Sequence, residues 1–404
     1  MTATLGTNGS AGASGGWEVH QFLPSAGARD AVGAHTLQSA RALAAAGLNG
    51  GIWAEDIQAD MAKDVRATDV YETFRPARRR SNIILYQLAT GSRAFVSRLV
   101  GWPEPKMIYF HNITPSRFFD PWAPDEMLNM AWGREELKLL APHVAVALAN
   151  SEFSAAELRE LGIEDVRVIP PYLPPALDTE PDPAHLDWLQ RTKRGLDVLC
   201  VSRLVPHKGH LDLLRAFAAL RAAVDPNARL LLVGPWGPEP YMRAIFRLRD
   251  RLNVEGVLLT GSVSAATLAA HYRHADVFVS LSRHEGFGLP LIEAMRQGLP
   301  VVAYDAAAVA ETMDGAGVLL GTLDPTVVAE VVVRAGQPGS LRGALVRRQR
   351  ERVARLDAVP RDRLLVEACL AVTAGAGAAR AATGRVGPEV VAGEAAGSSS
   401  RRAL

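Results

Sequence analysis

Cysteine is almost absent from this chain of 404 residues. Its two cysteines, Cys200 and Cys369, lie far apart in apolar segments. Their separation does not match the spacing of any set of metal ligands, which excludes a cysteine-based metal site. Cysteine usage therefore indicates a protein of a reducing compartment.

Long hydrophobic runs are also missing. No apolar stretch reaches the roughly 20 residues that a helix needs to cross a bilayer. Residues 1–16 lack the charged start and the apolar centre of a signal peptide. We therefore expect a cytoplasmic protein.

Neither sign of charge is in excess. The formal net charge is +1, and no basic cluster is interleaved with aromatic residues. Nucleic-acid binding needs such a cluster, so nucleic acid is excluded as a partner. With 48% hydrophobic and 22% charged residues, the composition is that of an ordinary soluble protein.

The length exceeds what one hydrophobic core can organise and predicts two domains. In both halves, short apolar runs typical of strands alternate with segments typical of helices, which favours α/β domains with parallel sheets. Neither half has a G-x-G-x-x-G sequence between its first strand and first helix. The main sequence evidence for a nicotinamide dehydrogenase is therefore missing. Ser154 and Glu157 predict a capping box for a helix that starts at Ala155.

A proline-rich stretch after residue 169 predicts a linker between the two halves. The predicted divisions are a disordered tail over 1–16, an N-terminal Rossmann-like domain over 17–172, the linker over 173–195, a C-terminal Rossmann-like domain over 196–357, a terminal helix over 358–373 that crosses back to the first domain, and a disordered tail over 374–404.

The loop and helix around Glu285 are the most informative part of the chain. Glu285 and Glu293 lie eight positions apart, one in a loop with Gly286 and Gly288 and the other in a helix that opens with Pro290. The flanking strands place this loop at the edge of a parallel sheet where ligands bind. Glycine lets the backbone approach a ligand, a helix start attracts an anion, and carboxylates accept hydrogen bonds from vicinal hydroxyls. These features predict a nucleotide-sugar site.

Two cations, Arg203 and Lys208, follow the first strand of the second half. A guanidinium suits bidentate contact with phosphate, and a lysine acts as a mobile point charge. Taken alone they would be ordinary surface cations. Together with the glutamate loop, they predict a site for a diphosphate whose charge grows as it leaves.

The segment from Ala275 to Leu320 resembles the donor-binding core of the retaining glycosyltransferases of family 4. That resemblance implies the GT-B fold, in which two Rossmann-like domains with parallel sheets face a central cleft, the first holding the acceptor and the second the donor. It also implies that Glu285 contacts the sugar hydroxyls and Glu293 the ribose. The implied donor-binding residues are Arg203, Lys208, Glu285, Gly286, Phe287, Gly288, Leu289 and Glu293. Glu311 is similar to a further family glutamate near the donor, although an ordinary helix-face charge is an equal alternative.

The sequence His-Asn-Ile-Thr-Pro at 111–115 is similar to a motif of a bacterial, mannosyltransferase-like subgroup of this family. In that subgroup the histidine lies beside the donor sugar, so the resemblance implies that His111 contacts the sugar. The implied catalytic residues are His111, Arg203, Lys208 and Glu285. Gly33, Gly91 and Asn112 are predicted on the acceptor side of the cleft, with a turn or helix packing as the alternative for the two glycines. Gln87 stands where the subgroup often has a histidine.

The resemblance implies transfer of a hexose, with mannose favoured, from a GDP- or UDP-sugar to a hydroxyl of a glycan or lipid-linked acceptor. Such transfer belongs to the synthesis of cell-envelope polysaccharide. Because no Asp-x-Asp element stands between the domains, we expect no metal and no cofactor. Two alternatives stay open, a sugar-nucleotide epimerase on a GT-B fold and a non-catalytic protein that binds nucleotide sugars.

A predicted helix near residues 341–356 is rich in arginine. Two interpretations of this helix stay open: it contacts anionic lipid at the inner face of the cell membrane, or its arginines form an ordinary solvated face. The arginines concerned are Arg342, Arg347, Arg348, Arg350, Arg352 and Arg355.

Overall fold

The computed structural model describes residues 16–27, 30–74, 81–92, 95–173 and 179–383. Strands β1 to β13 are Trp17–Ala26, Ile52–Ile57, Val65–Ala67, Ser81–Leu88, Lys106–Phe110, Val144–Ala149, Val166–Val168, Asp197–Val201, Arg229–Val233, Val257–Gly261, Val277–Ser280, Val301–Tyr304 and Val318–Leu320. Helices α1 to α14 are Ala31–Ala45, Thr68–Phe74, Phe95–Val100, Pro124–Leu140, Glu152–Glu160, Pro183–Thr192, His210–Ala223, Glu239–Arg251, Ala265–His274, Leu289–Arg296, Val309–Met313, Pro325–Gly336, Ser340–Asp357 and Arg361–Thr383.

The strands form two parallel sheets. The first has seven strands in the order β3-β2-β1-β4-β5-β6-β7, and the second has six in the order β10-β9-β8-β11-β12-β13. In both sheets the chain moves outward from its first strand and then returns to that strand's other side. This order opens a crevice at the carboxyl edge of each sheet, where ligands bind in open α/β folds. The predicted α/β class with two Rossmann-like halves is confirmed.

Each sheet is covered by helices and has its own hydrophobic core. Central strands such as β5 and β9 are buried along their whole length, as expected for parallel strands with both faces covered. None of the helices in the described part of the chain is both long and apolar enough to cross a bilayer.

The last helix, α14, packs against the first domain. Leu365, Ala368, Cys369 and Val372 share one buried cluster with Val19, Leu43 and other residues of the first sheet and its helices. Burial raises the pKa of the Cys369 thiol to about 12, so this cysteine is a packing residue. The helix continues past residue 373 to Thr383, because the start of the predicted tail is rich in alanine, the best helix former. Residues 1–15 and 384–404 of the predicted tails lie outside the described residues.

Two local predictions need correction. The predicted linker contains α6, which Asp182 caps at its N-terminus and which buries Leu189 in the core of the second domain. The helix predicted to start after Ser154 begins at Glu152, and its cap is Ser151, whose hydroxyl accepts a hydrogen bond from the Ser154 amide. Glu157 bonds to Arg134 instead of completing a capping box.

Candidate active site

The loops at the carboxyl edges of the two sheets are in direct contact. The Ser151 hydroxyl, in the loop after β6, donates to the carbonyl of Gly286 at 2.7 Å. The side chain of Asn112, in the loop after β5, bonds to His284 Nε2 through its Oδ1 at 2.8 Å. The donor loop predicted around Glu285 therefore lies against the first domain.

The geometry of this loop follows from its glycines. Gly288 is the N-cap of α10 with a φ of 94°, a left-handed conformation that favours glycine. The Phe287 ring is buried, and its carbonyl accepts a hydrogen bond from Thr312 Oγ1 at 2.5 Å. At the start of α10, Pro290 has no N–H and the Leu291 amide donates to the Gly288 carbonyl at 3.0 Å, so the Leu289 amide and the helix dipole are what this end offers to an anion.

Lys208 and Glu285 form an ion pair at this loop. Lys208 Nζ lies 2.7 Å from Glu285 Oε1, and the two side chains are 19% and 12% exposed. Lys208 ends a 3-10 turn that Gly209 joins to α7, and a Cβ on Gly209 would lie 2.1 Å from the carbonyl oxygen of Leu281. This tight packing of the turn on the end of β11 brings a cation and a carboxylate from distant parts of the sequence together.

Arg203 lies in the same region but has a different partner. Its guanidinium bonds to both carboxylate oxygens of Glu126 on α4, at 2.5 and 3.3 Å, and its side chain is 50% exposed. Among the described contacts, none joins Arg203 to Lys208 or to Glu285. Sequence spacing carries no signal for Glu126, because the contact joins the two domains.

Glu293 is held from the side of the domain core. The Tyr272 hydroxyl donates to Glu293 Oε2 at 2.7 Å, and burial raises the pKa of Glu293. The structure records no contact between Glu293 and Glu285. The second oxygen, Oε1, makes no recorded hydrogen bond to a described residue and so can still accept one.

His111 is neutral and held in place from behind. Burial lowers its pKa to about 3. Its Nε2 lies 2.8 Å from Gln87 Oε1, and Gln87 in turn donates to Gln21. Since an amide oxygen only accepts, Nε2 carries the hydrogen and Nδ1 is left as an acceptor. Gln87 is fully buried and orients His111, so it does not itself line the cleft.

The three predicted acceptor-side residues have packing or bridging roles. A Cβ on Gly33 would lie 2.1 Å from the Gly27 carbonyl oxygen, and one on Gly91 would lie 2.7 Å from the Asn129 carbonyl oxygen. At both glycines, protein fills the space that a side chain would need, in line with the packing alternative. Asn112 is buried with a φ of 74° and bonds to Ser154 and His284, so it bridges the domains.

Glu311 faces the first domain. Its two carboxylate oxygens accept hydrogen bonds from the backbone amides of Glu152 at 2.7 Å and Phe153 at 3.1 Å, in the first turn of α5. This contact between the domains comes in addition to the two roles that the sequence left open for Glu311.

Two Rossmann-like domains that meet at the carboxyl edges of their parallel sheets define the GT-B type of fold. Solved structures agree. Sucrose-phosphate synthase from Thermosynechococcus elongatus aligns with a TM-score of 0.68 and 19% identity over 89% of this chain and 100% of that chain. WaaG, a glycosyltransferase involved in lipopolysaccharide biosynthesis, aligns with a TM-score of 0.64 and 15% identity over 88% and 99%. The predicted GT-B fold is confirmed.

Residues 195–337 match the family model of glycosyl transferases group 1. A GDP-mannose-dependent phosphatidylinositol monomannoside mannosyltransferase of Mycobacterium tuberculosis is 36% identical over 35% of this chain and 40% of its own length. The O-antigen chain mannosyltransferase B of Escherichia coli is 30% identical over 36% and 38%. The chain thus spans about two fifths of the length of these curated relatives. The predicted resemblance to family-4 glycosyltransferases of the bacterial mannosyltransferase type is confirmed.

Proposed function

We propose that the protein is a retaining glycosyltransferase that moves mannose from a nucleoside diphosphate sugar to a hydroxyl of a glycan or lipid-linked acceptor. The pairing of Lys208 with Glu285 at 2.7 Å, beside the start of α10, carries this proposal. This place then combines a cation and the Leu289 amide for a diphosphate with a carboxylate for sugar hydroxyls.

GDP-mannose is the proposed donor. The mycobacterial relative is named as GDP-mannose-dependent, which supports this choice. UDP-sugars are the second candidate, because a structural neighbour, the Anabaena protein HepE, was solved in complex with UDP-glucose.

In the proposed reaction, the bond between the anomeric carbon and the phosphate oxygen breaks while the acceptor oxygen bonds to the same face of that carbon. The acceptor proton passes to the leaving phosphate, so no side chain has to act as a base. Lys208, Arg203 and the Leu289 amide at the start of α10 stabilise the charge that develops on the diphosphate. His111 accepts a hydrogen bond from a sugar hydroxyl through Nδ1, and Glu293 accepts a hydrogen bond from a ribose hydroxyl.

Turnover is proposed to need no metal, because Lys208, Arg203 and the α10 start supply positive charge to the diphosphate. We expect GDP-mannose to raise the melting temperature more than UDP-glucose does, since a ligand present at 100 times its Kd stabilises the native state by about 2.7 kcal/mol. Incubation with an acceptor should release GDP at the same rate with and without EDTA.

Three results would contradict this proposal. A donor that raises the melting temperature but is neither transferred nor hydrolysed would indicate a binding protein. Conversion of the donor to an epimer without acceptor would indicate an epimerase. Loss of turnover in EDTA, restored by a divalent cation, would refute metal independence.

Peripheral membrane contact is proposed through helix α13. Three of its arginines are turned to the protein, since Arg342 bonds to backbone carbonyls and Arg352 and Arg355 bond around Asp314. The other three, Arg347, Arg348 and Arg350, are exposed and have no recorded ion pair among the described residues. An exposed group of this kind attracts an anionic lipid surface.

Replacing Arg347, Arg348 and Arg350 together by glutamine should weaken binding to vesicles of phosphatidylglycerol by roughly 100-fold, at about 1 kcal/mol for each arginine near the surface. Co-sedimentation measures this. The matched control replaces Arg191, Arg243 and Arg334, which are exposed and paired along their own helices. Equal loss in both variants would mean that only net charge matters, and no loss in either would remove α13 as the contact.

A further inference from the structure

The first turn of α5 holds the second domain at two points. The free amides of Glu152 and Phe153 bind the Glu311 carboxylate, and the Ser151 hydroxyl donates to the Gly286 carbonyl. The amides at a helix start lack intrahelical partners and carry the positive end of the helix dipole, so a carboxylate is their natural partner. We call these contacts of Ser151, Glu152 and Phe153 with Gly286 and Glu311 the α5 latch.

The second-domain side of the α5 latch is tied to the donor loop. The Ala308 amide, at the start of α11, donates to the Glu285 carbonyl at 3.2 Å. Thr312, next to Glu311, donates to the Phe287 carbonyl at 2.5 Å. The helix that carries Glu311 is therefore hydrogen-bonded to the backbone of the proposed donor-binding residues.

Helix α11 is also supported from behind. Arg352 on α13 donates to the carbonyl oxygens of Thr312 and Glu311, at 2.9 and 3.0 Å. Helix α11 is bonded both to the donor loop and to α13. Because Glu311 lies on this helix, its position is coupled to that of the donor loop. The contact of Asn112 with His284 joins the same loop to the first domain at a third point.

We propose that Glu311 is a positioning residue that holds the two domains together before donor binds, and so sets the donor loop in its binding arrangement. It acts through the α5 latch and not on the substrate. The latch makes a larger fraction of the free protein competent to bind donor, and apparent donor affinity scales with that fraction. The kinetic consequence rests on the proposed glycosyltransferase function, whereas the domain contact does not.

Small-angle X-ray scattering of Glu311→Ala tests the contact directly. We expect the free variant to have a larger radius of gyration than the wild type, and saturating GDP-mannose to bring it back to the wild-type value. Glu311→Gln keeps an acceptor oxygen but loses the charge, so it should lie between the two. The control is Glu255→Gln, which removes a carboxylate that is 89% exposed on the same domain.

Steady-state kinetics supply the second readout. Because donor can still drive closure, KM for the donor should rise about tenfold in Glu311→Ala while kcat stays within about twofold. A merely structural residue would lower the melting temperature without this split. If Glu311→Ala loses its fold, the isosteric Glu311→Gln carries the same test.

Two outcomes would overturn the proposal. One is an unchanged radius of gyration in both Glu311 variants, and the other is a fall in kcat with KM unchanged, which would place Glu311 in the chemistry. Scattering needs no turnover, so an enlarged free variant together with an inactive wild type would refute the proposed function and leave the latch standing.

Discussion

Replacing Lys208 by methionine should lower kcat/KM about 10²- to 10³-fold, with most of the loss in kcat. The methionine keeps the length of the side chain and removes its charge. Loss of one preorganised group that faces developing negative charge costs about this much in rate. The effect is enlarged because the side chain is only 19% exposed, so solvent screens its charge weakly.

The variant also leaves Glu285 without its cation beside a bound diphosphate. Steady-state kinetics with GDP-mannose give the comparison, and Lys138→Met is the control, because Lys138 lies exposed on α4 and pairs with the neighbouring Glu135. If Lys208→Met raises KM alone and keeps kcat, Lys208 serves to hold Glu285 in place and does not stabilise the leaving group.

The donor loop could be predicted from sequence because its information is local. Glycines, a proline at a helix start and two glutamates follow one another, and each has a conformational meaning that does not depend on distant residues. Lys208 was predicted separately, and its pairing with Glu285 then follows from the parallel sheet, which brings the ends of β8 and β11 to the same edge.

The contacts between domains could not be predicted in the same way. Glu126, Ser151 and Glu311 find their partners across the cleft, where sequence spacing carries no information. What a glycine contacts is likewise hard to predict from sequence. The sequence indicates that a backbone needs space at Gly33 and Gly91, but only the structure shows that protein, and not substrate, fills it.

Short elements of the first domain could not be predicted from sequence, for another reason. Strand β3 has three residues and helices α2 and α3 have seven and six, so none spans enough periods to produce a clear pattern. The cap of α5 could not be predicted because both Ser151 and Ser154 have the right chemistry; in the structure the Ser151 hydroxyl accepts from the Ser154 amide and donates to the Gly286 carbonyl.

Gly286→Ala should lower kcat/KM about 100-fold while the melting temperature changes little. A Cβ at this position would lie 2.4 Å from the His111 carbonyl oxygen and 2.8 Å from the Asn112 Cβ. Both atoms belong to the first domain, so the clash exists only while the domains touch. Each domain can fold as before, and the strain is released when the cleft opens.

The magnitude follows from the steric cost. Overpacking of this kind costs about 3 kcal/mol at its upper range, which corresponds to about 10² in rate when the contact is needed for turnover. Kinetics and thermal melting measured together separate a lost contact from a lost fold. The control is Gly321→Ala, since a Cβ on Gly321 meets no atom within 4 Å. Activity within threefold of wild type would mean that turnover does not require Gly286 to approach His111, and an early melting transition would mean that the contact supports the fold instead.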